Sequence, residues 1–257
     1  MCYDLEARPP LPPVLGAAAG SQDLELTAGD GTRFAAYAAR AGAPTGAGIV
    51  ILPDVRGLHQ FYKDLAVRFA EAGVDAVAID YFGRTAGMEA RGDDFDYMPH
   101  VMQTRQESIA ADVAAAVAYL RTPQGGAPRA IFTVGFCFGG GNSWNQAAAG
   151  HGLAGAMGLY GRPVGPTRDG SPAPVDRVGE FRCPIVGLFG GADEGIPQSA
   201  VQQFDQALTQ ANIEHTLHSY PGAPHSFFDR RYEQFAAECT DAWQRMLSFI
   251  SAHTPGA

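Results

Sequence analysis

Short apolar runs alternate along the chain with longer stretches whose apolar positions recur at helical spacing. Residues 48–52, 74–79, 130–136, 153–160 and 184–189 are apolar nearly throughout, as strands buried on both faces require. Stretches 61–72, 103–121, 138–149, 198–211 and 232–253 carry the helical period, and 213–220 reads as a half-polar strand. Ahead of them, two partly alternating runs, 22–27 and 32–40, flank the turn sequence Ala28-Gly29-Asp30-Gly31 and predict an antiparallel hairpin. This succession predicts an α/β protein with a mostly parallel central sheet of about eight strands and helices on both faces.

Residues 1–20 are rich in Pro and Ala without periodicity and read as an N-terminal arm, leaving 21–257 as a single domain. Two further aperiodic stretches, 81–102 and 161–182, follow strand carboxyl ends, where α/β sheets place ligands.

Composition narrows the function. Charged residues make up only 18% of the chain and the hydrophobic class 46%, which excludes disorder and coiled coil. A net charge of −9 leaves no basic footprint for nucleic acid. Without an apolar run of roughly 18–20 residues or a cationic leader, the chain is expected to avoid membranes and to be cytoplasmic. Four cysteines lacking CxxC spacing are expected to be reduced thiols.

One of them stands apart. In Gly135-Phe136-Cys137-Phe138-Gly139 a buried strand runs through GxCxG into a helical stretch, the pattern of a nucleophile elbow with Cys in place of Ser. Glycines flank the turn because a Cβ there would strike the neighbouring strand and helix. The following helix points its unpaired N–H groups at the sulfur, stabilising negative charge there and offering the Phe138 N–H as an oxyanion donor. Such a fold needs an acid and then a histidine after later strands. Asp193 is the first carboxylate past the 184–189 run and is preferred to Glu194. His225 follows the last strand in a non-helical loop and is the only histidine with both the order and the setting. Val55, in the loop after residues 48–52, is expected to give the second oxyanion N–H. Asp54 beside it either approaches the sulfur or is an ordinary turn carboxylate. His59 lies in the same loop. Arg84 leaves a strand end on the rim that carries Cys137, and Tyr160 ends another strand; these three are the candidate substrate-binding residues. His215 and His218, at i,i+3 on a strand, point to opposite faces and cannot share a metal ion. No metal and no cofactor is expected.

The segments LPDVRGLH, IDYFGR, GFCFGG, GGADE and PGAPHSF, in this order over residues 45–252, resemble the dienelactone hydrolase family of α/β-hydrolases. The resemblance implies a cofactor-free hydrolase of a small lactone or carboxylic ester, with a triad of Cys137, Asp193 and His225. It also implies an acidic residue beside the resting thiol, matching Asp54, and an arginine holding a substrate carboxylate, matching Arg84. Two departures accompany it: the best-known members carry Glu where Asp54 stands, and an arginine where Asp229 stands. The partner is then a small lactone or ester substrate, anionic or neutral, and the protein a monomer or small homo-oligomer. The alternatives are a broad carboxylesterase or thioesterase with the same triad, or a noncatalytic thiol redox sensor, against which the full triad in the correct order argues.

Overall fold

The alternation of buried runs becomes one eight-stranded sheet. Its strands are β1 (Ala18–Thr27), β2 (Arg33–Ala41), β3 (Ala47–Leu52), β4 (Val74–Ile79), β5 (Ala130–Phe136), β6 (Gly155–Leu159), β7 (Ile185–Gly190) and β8 (His215–Tyr220). They lie in the order β1-β2-β4-β3-β5-β6-β7-β8. The β1–β2 hairpin joins β4 antiparallel, and the rest of the sheet is parallel. A computed structural model describes residue 9 and residues 16–89, 91, 94–167, 170–229 and 231–256. All residues of β3 to β7 are buried, so both faces of the central sheet are covered.

The cover comes from α1 (Gln60–Glu71), α2 (Gly83–Ala86), α3 (Met98–Gln103), α4 (Gln106–Leu120), α5 (Phe138–Gln146), α6 (Gln198–Gln210) and α7 (Ala236–Ala252). Two departures from the sequence pattern concern the aperiodic stretches. Residues 81–102 hold the short helices α2 and α3, and 161–182 hold a 3-10 segment, Pro174–Glu180. Elements of four to seven residues are too short to show a period. Of the proposed arm, residues 1–8 and 10–15 lie outside the described residues, while β1 already begins at Ala18. Among the described residues no helix is long and apolar enough to cross a membrane.

Register brings distant loops together. Leu52 of β3 pairs with Gly135 of β5, so the loop of Asp54 and Val55 opens beside the GxCxG turn. Phe136 of β5 pairs with Leu159 of β6, which pairs with Leu188 of β7; Gly190 of β7 pairs with Tyr220 of β8. The loops that follow β3, β5, β6, β7 and β8 therefore share one rim.

Candidate active site

Cys137 caps the N-terminus of α5 with φ 54° and ψ −112°, a left-handed conformation rare outside glycine that costs of order 1–3 kcal/mol. Two bonds hold it there: its N–H donates to Leu159 O at 3.0 Å, and its carbonyl accepts from the Gly140 N–H at 3.0 Å. The flanking glycines are sterically required. A Cβ on Gly135 would lie 1.8 Å from Gly139 O, and one on Gly139 would lie 2.1 Å from Leu52 O. Strand, turn and helix are packed too closely for any side chain at those positions.

Across the rim, His225 Nδ1 lies 2.6 Å from Asp193 Oδ2. The Asp193 side chain is buried, and its other oxygen accepts the Gly195 N–H at 2.9 Å; Glu194 is exposed. Acid and histidine loops are joined through the backbone, with Ala192 N–H donating to Ala223 O at 2.9 Å and Gly191 N–H to Tyr220 O at 2.8 Å. Cys137, Asp193 and His225 line one cavity of about 730 Å³, together with Phe138, Val55 and Tyr160. That volume suits a small organic molecule.

Asp54 is fully buried. Its Oδ1 accepts the Arg56 N–H at 2.8 Å, and its own N–H donates to the Tyr62 hydroxyl at 3.0 Å, which fixes the turn that presents Val55. The neighbouring Tyr81 hydroxyl donates to Pro53 O at 2.8 Å; burial, and then the charges of Asp54, Asp80 and Cys137, hold it well above the usual phenol range. Asp54 and Cys137 thus bear on one hydroxyl. Tyr160 is likewise buried. Its ring packs edge-on against His225, and its hydroxyl donates to Asp229 Oδ2 at 2.9 Å. Burial and Asp229 together raise it far above its ordinary value. Asp229, in the position where the resemblance led to an arginine, therefore sits beneath the tyrosine as its acceptor.

Arg84 does not line the cavity, contrary to the sequence expectation. Its guanidinium pairs with Asp30 of the hairpin turn, donates to Thr32 Oγ1 at 2.7 Å and reaches Asp112 of α4 at 2.7 Å. Packing turns it away from the nucleophile: a Cβ on Gly83 would lie 2.6 Å from the Phe34 Cβ, so α2 rests on β2 and carries Arg84 toward the hairpin. His59 also stands outside the lining residues, as the N-cap of α1. Arg162 and Arg231 do line the cavity, as do Gln106, Asn142 and Asn145. Arg162 opens the aperiodic 161–182 stretch, which was the available signal for it. Arg231 follows Arg230, which lies outside the described residues.

A family model described as the dienelactone hydrolase family matches residues 34–254. A protein of Salmonella typhimurium strain LT2 named "Putative carboxymethylenebutenolidase" is 33% identical over 232 residues, covering 87% of this chain and 84% of its own. One of the same name from Escherichia coli K12 is 32% identical over 212 residues, covering 80% and 76%. The crystal structure of a "Putative Dienelactone Hydrolase" from Klebsiella pneumoniae superposes with a TM-score of 0.77 at 28% identity, covering 90% of this chain and 99% of that one.

Proposed function

Because the chain belongs to the dienelactone hydrolase family, and so is a hydrolase of carboxylic ester or lactone bonds, we propose that it opens a small lactone or ester through a thioester on Cys137. His225, held by Asp193, removes the thiol proton, and the sulfur attacks the carbonyl carbon. The N–H groups of Phe138 and Val55 receive the developing oxyanion. As the carbon–oxygen bond breaks, His225 returns the proton to the leaving alkoxide, which stays tethered in a lactone. Water then attacks the thioester with His225 as base, the carbon–sulfur bond breaks, and the acid is released. The hydrogen bonding of Asp54 supports a role in shaping the turn of Val55.

The observation that carries this reading is the 2.6 Å bond between His225 and Asp193, set in the same cavity as a strained Cys137 at a helix N-terminus. Cys137→Ala should lose at least about 10³-fold in kcat for p-nitrophenyl acetate and a small lactone, with an unchanged circular dichroism spectrum. Mass spectrometry of the rapidly quenched enzyme should find the acyl group on Cys137. Residual activity within tenfold would end the proposal.

A second reading, a broad carboxylesterase or thioesterase, gains from one observation: the arginine expected to grip a carboxylate is engaged by Asp30 and Asp112. Anion preference would then rest on Arg162 and Arg231. We place the protein in the cytoplasm, where a thiol nucleophile stays reduced, as a monomer or small homo-oligomer with one domain over residues 21–257.

A further inference from the structure

The segment Ile79-Asp80-Tyr81-Phe82-Gly83-Arg84 sends its arginine away from the cavity, and it is the tyrosine that bears on the turn of Cys137. Strands β3 and β4 are parallel neighbours with Ile51 opposite Ala78, so the residues just past their ends meet. Tyr81 stands there, 3% exposed, and donates its hydroxyl proton to Pro53 O at 2.8 Å. The peptide it holds is fixed at the other end too, because the Asp54 N–H of that same planar unit donates to the Tyr62 hydroxyl at 3.0 Å. The next peptide carries the Val55 N–H. Its carbonyl, Asp54 O, accepts the Gly57 N–H at 3.2 Å, and in a trans peptide the N–H points opposite to the carbonyl, so the Val55 N–H is turned away from that bond.

The ring of Tyr81 makes the second connection. It packs edge-to-face on Phe138, with centroids 5.5 Å apart and planes at 82°, and Phe138 is the first residue of α5, next to Cys137. One buried side chain therefore touches both segments that carry the proposed oxyanion donors. Tyr81 does not line the cavity, whereas Val55 and Phe138 do, so it can act only through them. Burial holds its hydroxyl well above the usual phenol range, which keeps it a donor.

We propose that Tyr81 is a positioning residue that sets the distance between the Val55 and Phe138 N–H groups, fixing the first through its hydroxyl and the second through its ring. The inference rests on the reading of Cys137 as nucleophile and of these two N–H groups as oxyanion donors. An oxyanion has to be met by both donors at about 2.7–3.1 Å, so a small change in their spacing weakens the transition state more than the bound substrate.

The test uses the full-length enzyme and phenyl trifluoromethyl ketone. The Cys137 thiolate attacks its carbonyl carbon, a carbon–sulfur bond forms, and the carbonyl electron pair moves to oxygen, leaving an oxyanion like the one in catalysis. Acetophenone has a similar shape but a far weaker electrophilic carbon, and reports binding without the adduct. Tyr81→Phe should weaken inhibition by the trifluoro ketone about tenfold and raise by about one unit the pH at which the fluorine NMR signal of the adduct titrates. It should lower kcat for p-nitrophenyl acetate about tenfold, with KM and inhibition by acetophenone each within about twofold. Phe138→Leu keeps its N–H but loses the ring contact, and should show the same selective loss at about threefold. Equal losses for the two ketones, or no loss, in Tyr81→Phe overturn the positioning role and leave the hydrolase reading standing. Undiminished selectivity in Phe138→Leu overturns it even where Tyr81→Phe does not fold. Absence of both adduct and p-nitrophenol release in the unsubstituted enzyme overturns the hydrolase reading, and the positioning role with it.

Discussion

The guanidinium of Arg84 lies 2.7 Å from Asp112 Oδ1, so the second residue of α2 is tied to the middle of α4. The same side chain pairs with Asp30, which joins the β1–β2 turn to both helices. Held in this way, the Arg84 side chain bridges the hairpin turn and the two helices and is not among the residues that line the cavity of Cys137.

Arg84→Ala should therefore destabilise the protein by about 2–3 kcal/mol in urea unfolding, because Asp112 would be left buried without its partner. It should reduce kcat/KM for charged and neutral esters by the same factor. Arg231→Ala, by contrast, should weaken kcat/KM for a carboxylate-bearing lactone by about tenfold relative to a neutral ester. A selective loss in Arg84→Ala and none in Arg231→Ala would reverse the two assignments.

Burial pushes the Asp112 carboxyl up to about 6, against the pull of Arg84. Between pH 6 and 4 the folded protein takes up a proton that the unfolded chain, with an ordinary carboxyl, does not yet bind. This group's contribution to stability is thus fully present below pH 4 and is lost as pH rises through 6. Asp112→Asn should remove a slope of at most about 1.4 kcal/mol per pH unit from the unfolding free energy in that window. Identical slopes in the two proteins, measured by urea titration from pH 4 to 7, would contradict the assignment.

Asp193→Asn should lower kcat by about 10³-fold, since the amide can present its N–H to Nδ1 and favour the wrong imidazole tautomer. Glu194→Gln should stay within about twofold, because its carboxylate faces solvent. Steady-state rates with p-nitrophenyl acetate decide between the two carboxylates.

Among the described cysteines, burial raises Cys183 and Cys239 to about 12, and the Cys239 thiol donates to Phe227 O at 3.3 Å. Iodoacetamide at pH 8 should modify Cys137 in the folded protein and leave these two unmodified until denaturant is added, as peptide mass mapping would show. Early labelling of either would mean that its surroundings open readily.

Sequence gave good access to whatever depends on strand order. The buried runs, the GxCxG turn and the carboxylate and histidine after later strands could be read because backbone topology puts strand ends on one rim. Asp193, preferred to Glu194 for its place at the strand end, is the carboxylate bonded to His225 in the structure. Arg84 could not be read in the same way. Its residue type and its loop suit a substrate contact, but the direction of its side chain is set by Gly83 resting on Phe34, a contact between residues far apart in sequence. Asn142 and Asn145 of α5 could not be singled out from the sequence either, because their hydrogen bonds are made to Gln106, which arrives from another helix.

The left-handed backbone of Cys137 carries a consequence for inheritance. Glycine at this position would relieve the strain and should make the protein more stable, while removing the sulfur. Mutational drift under selection for folding alone would therefore erode the residue first at this turn. Under the proposed mechanism, a side chain in this conformation exchanges an increment of stability for turnover.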